Sequence, residues 1–289
     1  AAGGPAGAMV LVPMSSYLID IVGWRATWAV LGLTVLVLAF PLSYLLIKEQ
    51  PSDLGVGPDG DDVDLDGIEN KKRSTMKAPL ERDHWINAFK TFPMWQLSGG
   101  YFVCGFTAAF LSVHFVPYAI EEGFSPGLAA TAFGLMSGLN VAGVLVVGAL
   151  GDKFERKILL AAVYATRGIA YAALLLIPGV SGLWLFVFLA GLSWIATVPP
   201  TTGLTADVYG LKHIGTLSGI SFTAHQIGGA IAVQLGGVLR DVTGSYTVPF
   251  VIAAILLGAA SILVFLIQER KYALRYQQPV VLPSAHGAG

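Results

Sequence analysis

Eight continuously apolar runs, near residues 3–21, 26–47, 95–119, 127–150, 158–178, 183–205, 214–238 and 247–267, constrain this chain more than anything else in it. An α-helix needs about 20 such residues to cross a bilayer. Within hydrocarbon only helices and closed barrels satisfy their own backbone, and these runs lack the ten-residue alternation of barrel strands. The sequence therefore predicts an all-α integral membrane protein, a polytopic bundle of eight spans. Its composition agrees, since 55% hydrophobic residues, 12% charged residues and a mean hydropathy of +0.69 are too apolar for a soluble domain of 289 residues.

Eight spans place both ends of the chain and every second loop on one side. That side takes 14 of the 17 basic residues, among them Lys48, Lys71, Lys72, Arg73, Lys153, Arg156, Lys157, Lys212, Arg270 and Arg275. The other side has only Arg25 and Arg240, and Arg167 falls inside a span. By the positive-inside rule the richer side is cytoplasmic, with both termini there. Residues 48–92 carry ten of the 18 acidic residues, with Pro51, Gly55, Gly57, Pro58, Gly60 and Gly67, and read as a solvated cytoplasmic linker. At its far end Leu80, Trp85, Ile86, Phe89 and Phe92 recur at the spacing of an interfacial helix. The expected organisation is two helices over 1–47, the linker over 48–92, a six-helix bundle over 93–268 and a cytoplasmic tail over 269–289.

A net charge of -1 with basic residues spread over loops sets nucleic acid aside as a partner. The single cysteine, Cys104, lies within the third span, so no intramolecular disulfide is expected. The opening Ala1-Ala2-Gly3-Gly4-Pro5 has no initiator Met and no charged stretch of the kind that opens a signal peptide. It reads as a chain that begins within a longer protein.

The turn between the fourth and fifth spans reads Gly148-x-x-x-Asp152-Lys153-Phe154-x-Arg156-Lys157. This resembles the loop signature of the major facilitator superfamily. Gly23-Trp24-Arg25, Pro51-Ser52-Asp53-Leu54-Gly55, the stretch from Val198 through Pro199-Pro200-Thr201-Thr202-Gly203 to Asp207, and His225-Gln226-Ile227-Gly228-Gly229 are similar to bacterial monocarboxylate-transporter-like members. The resemblance implies that the eight spans correspond to helices five to twelve of a twelve-helix carrier, so that the first four helices of the same protein are missing. It also implies a secondary transporter of the cell (inner) membrane, moving a small organic anion such as a monocarboxylate by alternating access, with a coupling proton as a possible second partner.

Gly148, Asp152, Lys153, Arg156 and Lys157 form a candidate conformational latch, because a carboxylate and a guanidinium at a semi-dry helix boundary can make charge-assisted bonds that break on rocking. An ordinary basic turn that marks topology fits them as well. Lys153 and Glu155 stand where the family commonly has Arg and Gly, at a cost in bidentate geometry and in turn freedom.

For the substrate or proton pathway the candidates are Arg167, His225, Gln226, Asn140, Tyr164, Tyr171, Thr197 and Thr201. Arg167 lies about ten residues from each end of its span, where a charge needs a partner or water, and Tyr164 and Tyr171 share its face. It can meet a carboxylate substrate or brace neighbouring helices. His225 can carry a coupling proton or can be a packing residue. Asn140 with Ser137, and the line Ser193, Thr197, Thr201, Thr205, can line a cavity or bond their own backbone. Pro199-Pro200 predicts a helix break, whether as a discontinuous helix or a static kink. His114, near the outer end of its span, is expected at the interface.

Asp62-Val63-Asp64-Leu65-Asp66-Gly67 matches the start of a calcium loop, but Arg73 takes the place of the closing carboxylate, so no metal is expected. No cofactor is expected either, and no nucleotide-binding or hydrolase motif occurs. Transport, not catalysis, is the reading. The competing classes are a membrane enzyme acting on a lipid phosphate through the acidic linker and a membrane sensor that does not transport.

Overall fold

The structure, a computed structural model, describes residues 3–46, 48 and 77–277. The acidic segment with the Asp62–Gly67 pattern lies outside the described residues. No strand occurs among the described residues. The chain divides into two compact units, residues 10–76 and the remainder.

In the first unit the helix α1 (Gly3–Thr34) is two helices meeting at Gly23, whose φ of 75° and ψ of 163° are open to glycine and strained for other residues. This is where the sequence places the turn between its first two spans. Thr27 Oγ1 donates to Gly23 O at 3.0 Å and covers a carbonyl exposed by the kink. A π-helical stretch, Val35–Ala39, leads into α2 (Phe40–Leu46).

The second unit contains α3 (Phe92–Glu121), α4 (Pro126–Lys153), α5 (Arg156–Leu176), α6 (Gly179–Ser193), α7 (Val198–Tyr209), α8 (Ile214–Thr243), α9 (Thr247–Phe265) and a short α10 (Glu269–Tyr272). Trp85–Lys90, where an interfacial helix is expected, is a 3-10 helix of 6 residues. Six helical stretches among the described residues are long and apolar enough to cross a membrane: Ile21–Leu46, Phe92–Glu121, Pro126–Lys153, Arg156–Leu176, Gly179–Tyr209 and Thr247–Phe265. Of the expected eight, the opening run and α8 fall outside this set. The 30 residues of α8 are long enough, but glycine, His225, Gln226 and the terminal Arg240-Asp241 dilute its apolarity.

Glycine lets helices cross closely where membrane helices have no hydrophobic drive to associate. A Cβ on Gly105 of α3 would lie 1.8 Å from His225 O of α8, and one on Gly228 would lie 2.3 Å from Phe102 O. Backbone therefore touches backbone across this pair. A Cβ on Gly143 of α4 would lie 1.9 Å from Leu192 O of α6. Around these crossings Phe110, Phe115, Phe186, Phe250 and Tyr171 form a buried aromatic core, with Phe110 and Phe250 edge to face at 4.9 Å.

Candidate functional site

A cavity of about 330 Å³ opens between α3, α7 and α8. Its wall is built of hydroxyls and rings: Thr201, Thr202 and Thr205 from α7, Ser218, Ser221 and Phe222 from α8, and Tyr101 from α3. The i, i+4 spacing of Thr201 and Thr205 puts these two on one face of a short helix. Thr201 and Thr205 spend their protons on the carbonyls one turn back, at 2.7 and 2.8 Å. Ser221 Oγ meets Ser98 Oγ at 3.3 Å, and Ser218 Oγ is buried with no protein partner among the described residues.

His225 stands at the edge of this wall. Its ring stacks on Phe222 at 5.4 Å and leans on Tyr101 at 5.1 Å, and it neighbours the Cys104 thiol. His225 Nδ1 donates to Gln226 Oε1 at 3.1 Å, which leaves Nε2 as the acceptor of the neutral ring. Gln226 itself is exposed.

Behind the cavity is a dry polar cluster centred on Arg167, which is fully buried. Arg167 Nη1 donates to Thr107 Oγ1 at 3.1 Å, and Nη2 donates to the carbonyls of Ser193 and Trp194. Thr197 Oγ1 meets Cys104 Sγ at 3.0 Å. Tyr164 donates to Gly100 O at 2.6 Å and Tyr171 to Thr107 O at 2.8 Å, so both phenols face α3 and flank the guanidinium as their spacing predicts. These bonds tie Arg167 to α3 and to the carbonyls at the end of α6. Asn140 is also buried, and its Nδ2 donates to Gly191 O at 3.0 Å, which seats it between α4 and α6 instead of on the cavity wall.

Pro199 and Pro200 open α7, and α6 ends at Ser193, so the helix is interrupted over residues 194–197. His114 differs from expectation: it is buried, and Nε2 donates to Val233 O at 3.0 Å, leaving Nδ1 to accept from Tyr246 at 3.4 Å. A Cβ at Gly236 would strike the His114 ring at 2.8 Å, so the imidazole fills space that a glycine on α8 leaves.

At the Asp152 end of the bundle the charged residues of the turn differ in their contacts. The side chains of Asp152 and Lys153 are exposed and make no ion pair among the described residues. Arg156, also of the turn, makes an inter-helix contact. It pairs with Asp207 at the end of α7 and donates to Gly203 O at 2.9 Å, on a patch of backbone bared by the glycine. Lys157 contributes its backbone: the N–H groups of Arg156 and Lys157 donate to the two oxygens of Glu269, at 3.0 and 2.8 Å. A carboxylate thus caps the positive N-terminus of α5. Arg270 pairs with Glu155 at 2.6 Å, and Arg275 donates to the carbonyls of Gly151 and Asp152 at 2.9 and 3.0 Å, against the negative end of α4. Gly148 lies where α4 passes α7, with Pro199 Cβ 4.0 Å from the position of a Cβ. Sequence reasoning missed Glu269 and Arg275 because their partners lie more than 100 residues away. Their only signal is a charge cluster directly after the last apolar run.

The six apolar helical stretches and the half-open cavity between α3, α7 and α8 are those of a multi-pass helical membrane bundle. The sequence profile of the Major Facilitator Superfamily matches residues 1–233, and the chain belongs to that family. It is 28% identical to an uncharacterized MFS-type transporter, YcxA, of Bacillus subtilis, over 89% of this chain and 60% of that protein. It is 25% identical to monocarboxylate transporter 12 of Rattus norvegicus over 96% of this chain and 60% of that protein. The chain thus spans about 60% of the length of these curated relatives. In fold it is similar to the transporter FucP in the outward conformation, with a TM-score of 0.54 and 19% identity over 84% of this chain and 54% of that one.

Proposed function

We propose that this chain belongs to a secondary carrier that moves a small organic anion of the monocarboxylate class by alternating access, with the α3, α7 and α8 cavity as one wall of the substrate path. The observation that carries the reading is that cavity, with the unpaired hydroxyl of Ser218 on its wall and His225 at its rim. Hydroxyls and stacked rings suit the body of a small organic solute. The relatives named monocarboxylate transporters supply the anion, and a structural neighbour described as a fucose:proton symporter supplies precedent for proton coupling in this fold. His225 is the titratable group beside the path and is assigned the coupling proton, with Gln226 orienting its Nδ1. The Asp152 end is the cytoplasmic one, and the protein sits in the cell membrane.

The test is counterflow in liposomes with the full-length protein. Radiolabelled pyruvate should accumulate against unlabelled pyruvate, and His225→Gln should keep exchange while losing acceleration by a proton gradient. A protein that ignores every carboxylate offered but exchanges a sugar would end the anion reading. An unaltered proton response in His225→Gln would remove that residue from the coupling role.

A further inference from the structure

The interrupted helix leaves a backbone problem that α5 solves. After Ser193 the bonding shifts to partners three residues back, Trp194 N–H to Gly191 O at 3.5 Å and Val198 N–H to Ile195 O at 3.1 Å, so the carbonyls of Ser193 and Trp194 have no backbone donor from the next turn. Pro199 and Pro200, lacking N–H groups, add no donors there. Arg167 supplies them from the side: one nitrogen of its planar fork serves both carbonyls, at the negative end of α6, and the other reaches Thr107 on α3.

Eleven residues earlier on α5, three turns back and so on the same face, Arg156 holds the other end of α7 through Gly203 O and Asp207. Three turns of α5 rise about 16 Å, and the 12 residues of α7 rise about 18 Å. The two arginines therefore hold the interrupted segment at two places: the C-terminal end of α6 and the far end of α7. One lies in a dry interior, whereas Arg156 and Asp207 keep 21% and 17% of their side chains exposed. Between them α7 presents Thr201, Thr202 and Thr205 to the cavity.

We propose that Arg167 and Arg156 are positioning residues that clip the interrupted α6–α7 segment to α5, one at the break and one at the far end of α7, and so set the shape of the cavity, and that Arg167 is not a ligand for an anionic substrate. Only the description of the cavity as a substrate path rests on the transport reading; the clip itself does not.

The test uses the full-length protein in detergent, carrying Thr202→Cys and labelled with a hydrophilic maleimide; native Cys104 is fully buried and is retained. Thr131→Cys on α4, exposed and remote from α7, reports general loosening. Arg167→Met should raise the Thr202→Cys labelling rate about tenfold, the scale of losing one charge-assisted bond, with Arg167→Lys in between and Thr131→Cys unchanged. Arg156→Met and Asp207→Asn should each raise it, and the double variant should be no faster than the faster single one, since both remove the same bond.

A folded Arg167→Met protein with an unchanged Thr202→Cys rate overturns the clip. Where that variant does not fold, an unchanged rate in Arg167→Lys does the same. Protection of Thr202→Cys by millimolar pyruvate separates the two readings. If Arg167→Lys abolishes protection while leaving the unprotected rate alone, Arg167 is a substrate ligand and the proposal is wrong. If pyruvate protects no variant, the anion reading loses support, and the labelling rates alone decide on the clip.

Discussion

Glu269 shows how one residue can join distant parts of the bundle. It lies just beyond α9, is fully buried, and gives both carboxylate oxygens to the first two N–H groups of α5. Those donors have no partner within their own helix, and the helix dipole favours a negative charge at that end. Glu269→Ala should therefore cost about 1–2 kcal/mol, read as a lower Tm of the purified protein, with Glu269→Gln in between because one acceptor oxygen remains. An unchanged Tm in the alanine variant would mean that water caps the helix equally well. The sequence shows Glu269 only as an acid beside two basic residues; its role depends on contact with a helix that begins 113 positions earlier.

Between helices, the α3 and α8 crossing depends on the absence of side chains. Gly105→Ala would put a methyl 1.8 Å from His225 O, a contact that backbone must move to relieve. The expected cost is about 1–3 kcal/mol, together with displacement of His225 from Tyr101 and Phe222. Gly134→Ala on α4 is the contrasting case, because a Cβ there meets nothing within 4 Å. It should be neutral or stabilising by up to about 1 kcal/mol, the difference in helix propensity. Thermal unfolding of the two variants side by side checks both, and equal effects would refute close contact at Gly105. The glycines of α8 are visible in the sequence as a group, but which of them meet another helix is not. Gly228 and Gly236 are in contact, whereas Gly215, Gly219 and Gly237 face open space.

For the molecule as a whole, α8 decides whether length or apolarity governs spanning. It is 30 residues long yet too polar to stand among the six apolar spans, and Ser218 and Ser221 of its polar residues line the cavity, Ser221 meeting Ser98 of α3. A helix whose polar side is sheltered by protein can cross lipid that it could not cross alone. The positive-inside reading then predicts opposite sides for its ends. In intact cells an impermeant maleimide should reach Val242→Cys, which is 78% exposed, and should not reach Lys212→Cys until the membrane is opened. Reaction of both in intact cells would place the two ends on one face and refute the span.

Length and apolarity by themselves determined that this chain is a helical membrane protein, because a bilayer leaves a run of about 20 apolar residues few alternatives to a helix. The loop around Asp152 and the Pro199-Pro200 break were likewise legible, since turns and prolines act on their immediate neighbours. What each polar residue does was decided only by tertiary structure. Arg167 and Asn140 read alike in sequence as polar side chains within a span; in the fold one closes a helix break and the other joins α4 to α6. Arg156 and Asp152 likewise stand four residues apart in one charged turn; in the fold Arg156 pairs with Asp207, and Asp152 is exposed. In a dry interior a polar group is defined by the partner that satisfies it, and these partners lie 26 to 132 residues away, beyond the reach of any local pattern.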